Sequence, residues 1–171
     1  MRVIIVGCGR VGSTLARMLA DANHEVVIVD QTSDSFRRLG PKYRGTRQVG
    51  SGTDIDALKR AGIEKADVFV SVTDGDNRNI MAAQIARSVF DVPTVLTRIY
   101  DPSRAAAYRE LGIQTICTTT IAANLMFDLA EGEPVTEFVQ ELQNVRSSGG
   151  SAAAGNSGPR TSGANAGGAA A

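Results

Sequence analysis

From position 2 to about position 117, short runs of β-branched and other apolar residues alternate with segments whose apolar positions recur at helical spacing. The runs lie at 3–6, 26–30, 47–49, 68–72, 94–99 and 114–117. Several are continuously apolar, VIIV and VVIV most clearly, which suits strands covered on both faces of a parallel sheet. Between the first two runs, Val11, Leu15, Met18, Leu19 and Ala22 follow an i, i+4, i+7, i+8, i+11 spacing. That pattern predicts a helix that turns those five residues toward a core. Further helices are expected over about 34–39, 54–61, 77–89 and 102–110, the last with Pro102 near its first turn. Six strands separated by helical crossovers predict an α/β fold, a Rossmann-like doubly wound six-stranded parallel sheet with flanking helices. Ligands of such sheets bind at the carboxyl ends of the strands, where the strand order reverses.

Two later segments break the alternation. Residues 119–130 (TTIAANLMFDLA) carry Ile121, Leu125, Met126, Phe127 and Leu129, too widely spread for a helix that buries one face. Such a helix needs a second partner surface and is read as a C-terminal crossover or dimerisation helix, with a deeply buried final helix of the sheet as the alternative. Residues 133–145 (EPVTEFVQELQNV) make no second domain. From Ser147 onward, 20 of 25 residues are Gly, Ala or Ser and the one charge is Arg160. A tail of that composition cannot bury enough apolar surface to offset its ordering entropy, so disorder is expected. The resulting division is a folded domain over 1–131, a linker over 132–146 and a tail over 147–171.

Composition narrows the function classes. Lys+Arg and Asp+Glu are equal at 18 each, so there is no electrostatic reason to expect non-specific nucleic-acid or membrane-surface binding. No apolar run approaches the roughly 20 residues of a membrane span, and residues 1–6 read as a strand rather than a secretory signal. Direct membrane insertion is not expected, and the cytoplasm is the default location. Cys8 and Cys117 are too few for a disulfide framework or a zinc site and read as small buried residues. His24, between a helix and a strand, reads as a turn residue.

The candidate chemistry lies in residues 7–12, G-C-G-R-V-G, directly after the first strand and opening the first helix. Gly7 permits the tight turn, Gly9 has no Cβ to block a pyrophosphate, and Gly12 lets the helix pack close to the sheet. The helix N-terminus offers free N–H groups and a partial positive charge to phosphates. Asp30, at the end of the second strand, stands 18 residues beyond Gly12. A carboxylate there accepts hydrogen bonds from both hydroxyls of an adenosine ribose and repels a 2′-phosphate, which favours NAD(H) or ATP/ADP over NADP. Arg37 and Arg38 argue the other way but are read as lying on a solvated helix. Arg10 can reach the phosphates; the alternative is a surface arginine on the first helical turn. Hydride transfer would need a substrate pocket and a placed proton donor. There is no Tyr-x-x-x-Lys pair, since Tyr43, Tyr100 and Tyr108 are followed four residues later by Arg47, Arg104 and Gly112. A binding protein rather than an enzyme is therefore expected.

Over 1–130 the sequence resembles the N-terminal ligand-binding domain of RCK (regulator of potassium conductance) proteins, which include the cytoplasmic subunits of the Trk and Ktr potassium-uptake systems. The resemblance rests on VIIVGCGRVGSTLARML, VVIVD, VGSGTDIDALKRAGIEKADVFVSVTDGDNRNI and LTRIYDPSRAAAYRELGI, in that order, and on the closing apolar helix. It implies a Rossmann domain that binds NAD(H) or ATP/ADP without consuming it. It also implies homodimers, often in octameric rings, beneath a membrane-spanning potassium transporter subunit whose pore responds to ligand exchange. Carried over by position, Gly7, Cys8, Gly9, Arg10, Val11 and Gly12 form the phosphate turn. Asp30 would hold the ribose, with Gln31 beside the adenosine. Thr73 and Asp74 would lie at the ligand edge, and Arg98 would face the phosphates or a neighbouring protomer. Asp76 and Asn79 would cap the following helix.

Three departures qualify the carry-over. Family members usually carry Gly-Asp after the third strand, where this chain has Gly50 and Ser51, so Ser51 would have to hydrogen-bond in place of the acid. The stretch Cys117-Thr118-Thr119-Thr120 lacks the acidic residue that some members use for a divalent cation, so no metal is expected there. The family's C-terminal ligand-binding domain is not recognisable in the sequence, which implies a companion RCK subunit. The competing readings are an NAD-dependent oxidoreductase fragment and a redox-sensing transcriptional repressor, the second without a basic face or a DNA-binding helix pair to support it.

Overall fold

The computed structural model describes residues 1–110 and 113–132. Six strands alternate with helical segments: β1 (Arg2–Val6), α1 (Arg10–Asp21), β2 (Glu25–Asp30), a 3-10 helix (Ser33–Leu39), β3 (Thr46–Val49), α2 (Ile55–Arg60), a 3-10 turn (Ile63–Lys65), β4 (Val68–Ser71), α3 (Asp76–Ser88), β5 (Thr94–Ile99), α4 (Pro102–Glu110), β6 (Gln114–Cys117) and α5 (Thr118–Ala130). The strands form one sheet in the order β3-β2-β1-β4-β5-β6. All five pairings are parallel. The expected doubly wound Rossmann-like sheet is the fold of this chain, and its order reverses between β1 and β4.

Continuous apolar strands follow from where they sit. Residues 3–6 of β1 and 26–29 of β2 are buried throughout. On one face Ile4, Val6, Val27, Val29 and Phe69 pack with Leu58, Ile63 and the alanines of α3. On the other, Val3, Ile5, Val26, Ile28 and Val70 pack with Ala16, Leu39 and Tyr43. Each such buried aliphatic side chain contributes about 1.5–3 kcal/mol relative to exposure. The edge strands β3 and β6 are short and largely exposed, which limits pairing with other chains.

The helix spacing is corrected at α1. Its buried residues are Gly12, Ser13 and Ala16. Leu15 and Leu19 lie at the margin of the core, whereas Val11, Met18 and Ala22 are exposed. Small residues let the helix approach the sheet more closely than an aliphatic stripe would allow, so the helix rolls toward them. At α2, Asp54 caps the N-terminus by accepting from the N–H groups of Asp56 (2.9 Å) and Ala57 (3.3 Å), a strongly preferred arrangement.

Residues 1–124 form one compact unit, and a second begins at Leu125. No residue of α5 is buried, and Ile121, Met126, Phe127 and Leu129 are exposed. The reading of 119–130 as a deeply buried final helix is thereby set aside. The linker and tail expectations beyond position 132 lie outside the described residues.

Candidate functional site

At the switch point the chain leaves β1 through a turn whose shape requires glycine. Gly7 has φ +104°, and its N–H donates to the Val29 carbonyl at 2.8 Å. A Cβ on Gly7 would stand 2.8 Å from the Thr73 backbone nitrogen. A Cβ on Gly12 would overlap the Gly7 carbonyl oxygen, so α1 rests directly on the turn. Gly9 is different: among the described residues nothing lies within 4 Å of where its Cβ would be, and it occupies the N-cap of α1 without a side-chain cap. The turn is thus closed against β4 and α1 but open at Gly9, where the unsatisfied N–H groups of the helix begin.

Asp30 holds the turn from the neighbouring strand. Its Oδ2 accepts from the Cys8 N–H at 2.7 Å, and its Oδ1 accepts from the Thr32 N–H at 2.9 Å. Each carboxylate oxygen keeps a further lone pair for an incoming hydroxyl. The Cys8 side chain points away into the core, fully buried, with its thiol donating to the Ser35 carbonyl at 3.3 Å. Burial, reinforced by the Asp30 carboxylate, pushes that thiol up to about 11, so Cys8 is a packing residue and not a nucleophile at neutral pH.

A cavity of about 590 Å³ opens above this turn. The β1–α1 turn supplies Gly7, Gly9, Arg10 and Val11; the ends of β2 and β3 supply Asp30, Gln31, Gly50 and Ser51. The β4 and β5 side supplies Thr73, Asp74 and Arg98. Those eleven expected site residues are therefore brought together on one cavity. Cys8 and Gly12 are not in its lining; they shape the turn from behind. Ser51 shares a hydrogen bond of 2.9 Å with the Thr53 hydroxyl, which also lines the cavity.

The β4–β5 side is built by side chains. Asn79 is fully buried in α3 and makes four hydrogen bonds. Its Oδ1 accepts from the N–H and the hydroxyl of Thr73, both at 2.7 Å. Its Nδ2 donates to the carbonyls of Thr73 (3.1 Å) and Arg98 (3.0 Å). Beneath it the Ser71 hydroxyl donates to the Asn79 carbonyl at 2.9 Å and shares a hydrogen bond of 2.7 Å with the Thr97 hydroxyl. The expectation that Asn79 and Asp76 cap α3 is corrected, because Gly75 has no side-chain cap. Asn79 instead clamps the turn after β4 to β5. Asp76 accepts from the N–H groups of Tyr100 (2.9 Å) and Asp101 (3.2 Å). Arg98 donates to the carbonyls of Val72 (3.2 Å) and Thr73 (2.7 Å) and lies 4.4 Å from the Tyr100 ring centroid. Among the described residues its buried Nε has no hydrogen-bond partner.

Sequence reasoning missed three charged or aromatic lining residues. Arg38, read as solvated, is exposed yet lines the cavity, whereas Arg37 pairs with Asp34 at 3.3 Å. Tyr100 and Arg78 also line it, and Arg78 forms an ion pair with Asp74. The i, i+4 spacing of Asp74 and Arg78 was the available signal. Four arginines and two aspartates therefore face the cavity, a surplus of positive charge that suits a phosphorylated ligand. Among the described residues no group of three or more His, Cys, Asp or Glu side chains forms a candidate metal site, and no helix is long and apolar enough to cross a membrane.

The model of the TrkA-N domain family matches residues 3–119. A Trk system potassium uptake protein TrkA from Streptomyces coelicolor is 49% identical over 126 residues, 74% of this chain and 56% of the relative. The chain thus spans about half the length of that curated relative. Among solved structures, the AMP-bound C-terminal domain of Kef from Shewanella denitrificans superposes with a TM-score of 0.67 at 21% identity, covering 88% of this chain and 93% of that one. GsuK bound to ADP gives 0.66 at 20% identity over 77% of this chain and 34% of that one. The GsuK channel bound to NAD gives 0.57 at 23% identity over 67% and 21%. At these identities the structural likeness shows the fold.

Proposed function

The chain belongs to the TrkA-N domain family, and from that premise we propose that it is a non-enzymatic, nucleotide-binding regulatory subunit of a potassium uptake system. The observation that carries the reading is the turn open at Gly9, with Asp30 beside it and both on the cavity that Arg98 also lines. An adenosine ribose donates its hydroxyls to the remaining lone pairs of Asp30, with Gln31, Gly50 and Ser51 beside the base. Phosphates then lie over Gly9 against the first N–H groups of α1, with Arg10 supplying charge. The 2′-phosphate of NADP meets the Asp30 carboxylate. The ligand is NAD(H) or ATP/ADP, in keeping with the adenine nucleotides named for the Kef and GsuK structures.

Nucleotide exchange then acts on a membrane-spanning potassium transporter subunit by differential affinity for two states of the assembly. The apolar, unburied α5 is the surface for a homodimer, which can build an octameric ring and associate with a companion RCK subunit. Attachment through the transporter places the protein on the cytoplasmic side of the membrane. The folded domain then spans 1–131, the linker 132–146 and the tail 147–171.

Calorimetric titration of the purified chain with NAD⁺, NADH, NADPH, ADP and ATP tests this reading, repeated with Asp30→Ala. The expected outcome is binding of at least one adenine nucleotide other than NADPH, lost in the variant and without turnover. Turnover of a nicotinamide substrate would favour the oxidoreductase instead. Absence of binding to every nucleotide would reduce the reading to the fold.

A further inference from the structure

The β4–α3 side of the cavity carries an ion pair that the phosphate turn does not need. Asp74 follows β4, Arg78 lies one turn into α3, and both side chains line the same cavity as Gly9 and Arg10. Arg78 folds back over the β4–α3 turn. A Cβ on Gly75 would stand 3.2 Å from its Nε and 3.3 Å from its Nη2, so the glycine leaves the room that the guanidinium occupies. The pair is open to water, with side-chain exposures of 51% for Arg78 and 85% for Asp74. Pairs this exposed contribute little and exchange readily. Arg98, by contrast, is fixed by the carbonyls of Val72 and Thr73 and by the Tyr100 ring, and no carboxylate among the described residues pairs with it. This side of the cavity therefore holds two guanidinium groups against one carboxylate.

We infer that the Asp74–Arg78 pair is an exchangeable latch that selects adenosine di- and triphosphates over dinucleotides. The inference rests on the proposed nucleotide site and deepens it. A free terminal phosphate carries more negative charge than the Asp74 carboxylate and accepts paired hydrogen bonds from one guanidinium. It displaces Asp74 from Arg78, and the freed carboxylate turns to solvent. In a dinucleotide both phosphates are esterified, so neither offers the free, more highly charged terminal oxygens, and Arg78 stays with Asp74. Asp74 thus sets the threshold and Arg78 supplies the preference.

Titration calorimetry of the full 171-residue chain with AMP, ADP, ATP and NAD⁺ tests the latch, alongside Arg78→Gln and Asp74→Asn. The unaltered chain should bind ADP and ATP more tightly than NAD⁺. Arg78→Gln should weaken ATP about tenfold or more, the loss of one charge-assisted contact, while AMP and NAD⁺ change by less than about twofold. Asp74→Asn should strengthen ATP about threefold or more by removing the competing carboxylate, again sparing AMP and NAD⁺. Equal weakening of AMP in Arg78→Gln, unchanged ATP affinity in either variant, or NAD⁺ preferred by the unaltered chain would overturn the latch while leaving the nucleotide site intact. Failure of the unaltered chain to bind any nucleotide would remove both readings. Should Arg78→Gln not fold, Asp74→Asn decides alone, because it changes an exposed side chain.

Discussion

Around the glycine turn, Gly7 bonds Val29, Gly12 lies against the Gly7 carbonyl, and Asp30 ties down the Cys8 amide. At the ends of β4 and β5, Asn79, Thr73 and Arg98 hold the cavity wall through side chains. The first region is shaped by backbone contacts that tolerate no added atom, and its one open position faces the cavity. The second is a hydrogen-bonded wall with exchangeable charges at its surface. A site of this kind divides its tasks: the rigid backbone turn takes what all adenine nucleotides share, and the side-chain wall is free to discriminate between them.

Substitutions can break that contrast in order of severity. Gly12→Ala drives a methyl group into the Gly7 carbonyl and should cost about 3 kcal/mol of stability, read by urea unfolding. A cost below about 1 kcal/mol would mean that the turn has slack. Asn79→Ala strips partners from a buried wall and should cost about 2–3 kcal/mol, because the Thr73 N–H is left without an acceptor. Asp30→Ala should cost about 1–2 kcal/mol, since it leaves the Cys8 amide of a buried residue without its acceptor, and it should abolish nucleotide binding.

A pH series sharpens the same contrast more gently. The Cys8 thiol ordinarily titrates near 9 and is pushed up to about 11 here, first by burial and then by Asp30. A raised folded value means that the stabilisation is complete below pH 9 and is lost as pH rises from about 9 toward 11. The midpoint of thermal unfolding should therefore fall over that range, and less steeply in Cys8→Ala. Tyr43, pushed up to about 12 by burial, should keep a residual fall in the variant. Identical profiles for the two proteins would contradict the burial of the thiol.

How much of this was legible in the sequence divides along the same line. The strands and the G-C-G-R-V-G turn were legible because buried parallel strands and a tight phosphate turn constrain residue type position by position. The packing of α1 was not, since apolar spacing reports where aliphatic residues fall and not how closely small ones let a helix approach. Asn79 was misassigned for a related reason. An Asn near a helix start reads as a cap, and only the meeting of α3 with the ends of β4 and β5 shows that it bridges two strands. Arg38 looked solvated because its exposure is real, yet an exposed side chain can still border a cavity.

Gly9→Ala tests the central claim most directly. Its backbone is extended, at φ −75° and ψ −165°, and the added methyl group meets no atom of the described residues within 4 Å. Stability should fall by no more than about 1 kcal/mol, the preference for Gly over Ala at an N-cap. Titration of the folded variant with ADP should nevertheless show binding abolished, because the methyl group occupies the space proposed for the phosphates. Undiminished ADP binding by Gly9→Ala would contradict the placement of the nucleotide on this turn.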